Sequence, residues 1–226
     1  MSDDRVDRTE RWAGPAAGLV GAIVTMTGLG ISDIAGPEAI SPRASGDTIA
    51  RVLADNKDRF QLGTTILMIG LFFLVWFLVH LQTRLNPNGT TRWMASVASV
   101  GGLITVTLMA IVVSYVRASV ETKFSGSDVV IPKAIVLLDW NYWRTWAPFV
   151  SAHMLACGIA IIRTSLLPRF LGWGAVAVAF VPLVSPPGIM TIVFMLWMVI
   201  LSAGLLIKGT RGAPSDASSP PRSTTE

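Results

Sequence analysis

Apolar runs too long for strands alternate with short polar breaks along most of this chain. The clearest is 62–81, LGTTILMIGLFFLVWFLVHL, in which His80 is the sole titratable side chain. A helix needs about 20 apolar residues to cross a hydrocarbon core of roughly 30 Å. Inside that core the backbone must satisfy its own hydrogen bonds, which a helix does. The run therefore predicts a transmembrane helix. Similar runs predict spans over 12–31, 93–115, 142–162, 170–184 and 189–207. The expected fold is all-α, a polytopic bundle of about six transmembrane helices.

The breaks refine this layout. Residues 1–11 read as a charged tail, 12–208 as the membrane domain and 209–226, rich in Ser, Pro and Thr, as a disordered tail. Pro15 fits the first turn of its helix, where an amide hydrogen would be unpaired anyway. The first span carries Gly14-x-x-x-Gly18, Ala17-x-x-x-Gly21 and Gly18-x-x-x-Ala22, small-residue rows that let another helix approach closely. Between the first two spans, 47–60 (DTIARVLADNKDRF) places Ile49, Val52, Leu53 and Phe60 near one face, which predicts an amphipathic surface helix. The segment VVIPKAIVLL at 129–138 is apolar but half the spanning length, and Pro132 and Lys133 interrupt it. It is expected as an interfacial or re-entrant piece. The fourth span aligns Ala152, Ala156 and Ala160 in one row. The fifth, 170–184, rises only about 22 Å as a helix, so whether it crosses fully is open.

Charge adds orientation. Only 14% of the residues are charged and 52% are hydrophobic. Soluble domains carry about 25% charged residues. Arg5, Arg8, Arg11, Arg84, Arg92, Arg163, Arg169, Lys208, Arg211 and Arg222 crowd the two tails and the short turns on one side. Arg43, Arg51, Lys57, Arg59, Arg117, Lys123, Lys133 and Arg144 are spread through longer segments on the other. Cations in short loops face the cytoplasm, which places both termini there. Trp12, Trp93 and Trp173 mark that interface, and Trp140, Trp143 and Trp146 the opposite one. The sequon Asn88-Gly89-Thr90 then falls on the cytoplasmic side and reads as a chance match. No basic patch interleaved with aromatics lies in a soluble region, which argues against nucleic-acid binding.

Candidate chemistry is sparse. At the outer mouth of the fourth span, DWNYWRTW (139–146) brings Asp139, Asn141 and Arg144 together with aromatics, a set able to hold a lipid head group or small polar ligand. The competing reading is an aromatic anchor with an interfacial ion pair. His153, near the middle of that span, is the other candidate, because ionisable residues are costly in lipid. A histidine hydrogen-bonded across helices is the plainer reading of it. Cys157, the single cysteine, follows on the same face. Two ligands do not make a structural zinc site. His80 is expected at a different depth from His153, which disfavours a two-histidine haem. Arg117 and Glu121 are spaced to pair, and Asp33 is placed to approach Arg144. No phosphate-binding glycine loop, His-Glu-x-x-His pair or Gly-x-Ser-x-Gly elbow occurs, so no catalytic residue, metal or cofactor is predicted.

The run from Asp47 into the second span (DTIARVLADNKDRFQLGTTILMIGLFFLVWFLVHLQTRL) and the LPRFLGW entry to the fifth (167–173) resemble a family of uncharacterised bacterial multi-pass membrane proteins, grouped as a domain of unknown function. The resemblance implies the six-helix layout in a bacterial inner membrane and no established activity. Three functional readings follow. The leading one is a non-enzymatic accessory protein whose extracytoplasmic loops bind a protein partner, a second copy of the chain or lipid. The others are a small-solute transporter or channel near His153 and Arg144, and a membrane enzyme at the outer interface.

Overall fold

A computed structural model of the protein describes residues 3–32, 45–86, 89, 91–121, 130–185 and 187–211. Its helices are α1 (Asp3–Ser32), α2 (Gly46–Asp55), α3 (Lys57–Leu85), α4 (Arg92–Glu121), α5 (Val130–Thr164), α6 (Arg169–Val178), α7 (Val181–Val184) and α8 (Pro187–Arg211). Among the described residues there is no strand. Five helices are long and apolar enough to cross a membrane, with windows at Trp12–Ser32, Lys57–Leu85, Arg92–Tyr115, Arg144–Thr164 and Ile189–Gly209. Large apolar side chains point outward from them, among them Phe72 (58% exposed) and Trp76 (65%) of α3. A bundle that buries one apolar face and exposes another is solvated by lipid. The chain is a polytopic membrane helical bundle.

Lipid tails are as apolar as leucine, so burying apolar surface between helices gains little, and close backbone approach must hold the bundle instead. α1 lies antiparallel along α3, the most extensive contact in the molecule. A Cβ at Gly28 would sit 2.5 Å from the Leu67 nitrogen and 2.7 Å from the Gly63 carbonyl oxygen. One at Gly21 would sit 2.9 Å from the Leu74 nitrogen and 3.0 Å from the Gly70 carbonyl oxygen. The working row is thus Gly14, Gly21 and Gly28, seven apart, facing Gly63 and Gly70. The four-residue rows share only Gly14 and Gly21 with it. At Gly63, Gly70 and Gly18 the space a Cβ would occupy holds a hydroxyl oxygen, that of Ser32, Thr25 and Ser202 respectively. This recurring placement suits Cα–H···O contacts.

From this pair the bundle closes into a ring. α4 joins α3 to α5, and α8 packs on both α1 and α5. Thr91 Oγ1 donates to the Leu85 carbonyl and seals the α3–α4 turn. α2 begins at Ser45, whose hydroxyl caps the Thr48 amide at 3.2 Å. Its Ile49 and Leu53 are buried, as is Phe60, and α2 packs chiefly on α5. The amphipathic stretch is therefore present, but Asn56 splits it and its second half opens α3.

Two segments differ from expectation. Residues 130–138 form no separate re-entrant piece, because they begin the unbroken α5. Pro132 is harmless there, in a first turn whose amides have no intrahelical partner. Farther along, Pro148 lies inside the same helix and removes one of its hydrogen bonds. The fifth span is broken into α6 and α7. Pro182 cannot donate to the Val178 carbonyl, and its ring crowds that oxygen. The chain takes a turn at Ala179 and Phe180 before re-forming a helix.

This broken pair still traverses the bundle. Lys208 Nζ donates to the Leu166 carbonyl at 2.9 Å, tying the end of α8 to the turn before α6. Pro187, at the other end of α8, lies about 32 Å from Lys208 along the helix axis. The chain from Arg169 to Pro187 must cover that depth.

Both expected tails are partly helical. Helix α1 reaches back to Asp3 and α8 on to Arg211, while 212–226 and the side chains of 3–11 lie outside the described residues. So do Asp33, Asn88, Thr90 and the Glu121 side chain, with the pairings and sequon considered for them.

Candidate functional site

The site with defined geometry surrounds His153. α5 carries it at full burial, and α4 presents Ala98, Gly101 and Gly102 opposite. His153 Nδ1 lies 2.6 Å from the Ala98 carbonyl oxygen. A carbonyl only accepts, so Nδ1 carries the hydrogen and donates. Nε2 lies 3.7 Å from Cys157 Sγ and in a neutral ring accepts the thiol hydrogen. The Phe194 ring of α8 meets the imidazole edge-on, with centroids 5.7 Å apart. One side chain therefore links three helices, and both its nitrogens are engaged. This is the histidine bonded across helices that the sequence suggests.

Two glycines make the approach possible. A Cβ on Gly101 would lie 2.9 Å from the Phe149 carbonyl oxygen, and one on Gly102 would lie 2.9 Å from His153 Nδ1. Ala98 and Gly102 lie one turn apart on α4, and together they admit the ring. On the next face, Ser99 Oγ donates 3.1 Å to the Leu78 carbonyl, tying α4 to α3 at the same level.

His80 is separated from His153 by direction more than by depth, which corrects the expectation. A Gly102 Cβ would touch both Leu78 and His153, so His153 sits level with a residue two before His80. The His80 ring turns the other way, into the space left by Gly14 of α1, where its Nε2 accepts from Arg84 Nε at 3.1 Å. The two imidazoles therefore face different helices, His80 towards α1 and His153 towards α4.

The outer aromatic cluster lies partly outside the described residues. Asp139 and Asn141 belong to α5, and their side chains are among those not described. Arg144 is exposed. Trp146, expected in the interfacial belt, is instead 2% exposed and belongs to the core. At the opposite end Trp12, Trp93 and Trp173 are all exposed, as a belt requires. Arg117 Nη1 reaches Thr65 Oγ1 of α3 at 3.3 Å. Among the described residues no group of three or more His, Cys, Asp or Glu is arranged to hold a metal.

Another close backbone contact, farther along α5, joins it to α6. A Cβ on Gly158 would lie 2.7 Å from the Gly172 carbonyl oxygen. Neither glycine stands out in the sequence, since each lies in its helix without a partner four residues away that is also glycine. Comparison with protein-family models, with curated proteins and with solved structures finds no match to this chain.

Proposed function

We propose that this is a non-enzymatic accessory protein of a bacterial plasma membrane, which docks a protein partner on a helical layer outside the bilayer. The supporting observation is that one helix is longer than a hydrocarbon core is thick. α5 runs from Val130 to Thr164, 35 residues and about 52 Å of helix, against a core of roughly 30 Å. That leaves about 20 Å of helix beyond the core. α2 packs against α5 and turns Asp47, Arg51 and Asp55 outward, with Asp58 and Arg59 exposed beside them.

Mixed charge of this kind complements a protein surface better than a uniformly anionic lipid layer. The opposite end, with Arg84, Arg92, Arg163, Arg169 and Lys208, faces the cytoplasm in this reading and holds both termini. The family resemblance carried by 47–85 and 167–173 is consistent with it. The transport reading loses support because His153 is bonded on both nitrogens and packed against Phe194.

Chemical cross-linking in the native membrane, followed by native mass spectrometry of the released full chain, tests the proposal. A stoichiometric second polypeptide is expected, lost when Asp47, Arg51 and Asp55 are reversed in charge. A partner that survives those reversals, or a chain that emerges alone, would overturn it.

A further inference from the structure

We infer that the turn between α5 and α6 is a binding surface for the phosphate head group of an anionic lipid. The carrying observation is the bond from Lys208 to the Leu166 carbonyl, 2.9 Å long. It draws a cation from the end of α8 onto a turn already flanked by Arg163 and Arg169. All three side chains are exposed. No acidic residue occurs between Asp139 and Asp216, so neither α6 nor α8 carries a carboxylate of its own. Three cations around one four-residue turn are complementary to a phosphodiester.

The flanking surface identifies the phosphate as a lipid's. Phe170 is 70% exposed and Trp173 62% exposed on the first turns of α6. Arg169 and Trp173 lie one turn apart on one face of that helix. Aromatic rings beside cations at the end of an apolar helix belong at head-group depth, where a ring enters the acyl boundary and the cation meets the phosphate. The Pro168 N-cap offers no side-chain acceptor, so the first amides of α6 add donors to the same turn. A soluble anion would use the cations but leave Phe170 and Trp173 without a role. The site lies at the opposite end of the bundle from the α2 layer and does not depend on the docking proposal.

The test is titration of the purified full chain with phosphatidylglycerol or phosphatidylcholine in detergent, read by native mass spectrometry. Phosphatidylglycerol is expected to bind preferentially. Each cation near an anionic head group changes affinity about fivefold, so Arg163→Gln, Arg169→Gln and Lys208→Gln together are expected to weaken binding roughly a hundredfold. Arg92→Gln, a cation at the same end but off this turn, is expected to leave it unchanged. Should the triple variant fail to fold, Arg169→Gln alone is expected to show the fivefold loss, and its absence counts against the site. Equal binding of the two lipids, or an equal loss in Arg92→Gln, would overturn the inference. Displacement of the lipid by millimolar inorganic phosphate would overturn the lipid assignment in favour of a soluble anion.

Discussion

Replacing His153 and Gly102 singly and together measures whether the buried imidazole is a structural link between helices. In His153→Ala the Nδ1–H···O bond to Ala98 is lost. Hydrogen bonds between membrane helices contribute about 0.6 kcal/mol on average and at most about 1.7. The Ala98 carbonyl keeps the Gly102 amide of its own helix, so no acceptor is orphaned and the hydrogen-bond loss falls at the low end. The void left beside Phe194 in a fully buried site costs more, about 1.5–2 kcal/mol, and in lipid no water-transfer cost adds to it.

The total for His153→Ala is therefore about 2–3 kcal/mol. Gly102→Ala forces a methyl to within 2.9 Å of His153 Nδ1 and 2.5 Å of Leu78 Cδ2. It should cost about 1–2 kcal/mol by displacing the ring. In the double variant the ring is gone and the new methyl enters the void. The combined cost should then fall short of the sum by about 1 kcal/mol or more. Reversible unfolding in mixed micelles, driven by dodecyl sulfate and followed by tryptophan fluorescence, reads all three. Additivity within about 0.5 kcal/mol, or a neutral His153→Ala, would refute the link.

Three further outcomes follow from the packing. Gly28→Ala should destabilise by about 2 kcal/mol, because backbone atoms of α3 occupy the space, whereas Gly30→Ala, with nothing within 4 Å, should fall within about 0.5 kcal/mol of the parent in the same assay. Ser165 holds a left-handed φ of 52° where α5 ends, so Ser165→Gly should stabilise by about 1 kcal/mol and raise the melting temperature in detergent. Pro182→Ala restores the missing amide, and hydrogen-exchange mass spectrometry should then show new protection across 181–183. Unchanged exchange there would mean that tertiary packing, not the proline, breaks the helix.

The spans were legible because lipid imposes a single requirement on backbone and side chains together. Residues 62–81 could be nothing but a long helix, and α3 contains them entire. Ile49, Leu53 and Phe60 were legible as a buried face for a related reason, since their spacing matches the helical period and their neighbours are charged. What misled was local polarity. Pro132 and Lys133 suggested an interruption, but a proline near a helix start interrupts nothing. Pro182 gives no such signal inside its apolar run, although it divides α6 from α7. At the candidate site, His153 was visible as a lone polar group in an apolar span. Its partner was not, because Ala98 bonds through a backbone carbonyl that any residue would provide.

The sequence by itself determined the class of this protein and how its segments divide between lipid and water. Those properties are sums over side chains, and each residue contributes to them wherever its neighbours lie. The tertiary structure decided which small residues work. Gly28 lies against Gly63, Gly101 against Phe149 and Gly158 against Gly172, while Gly30 and Gly174 meet nothing within 4 Å. It also decided that Trp146 is core and Trp173 surface, and that Lys208 belongs with Arg163 and Arg169. The physical reason is that close approach depends on how two helices are rotated and aligned against each other. That relation belongs to the pair and is written in neither helix alone.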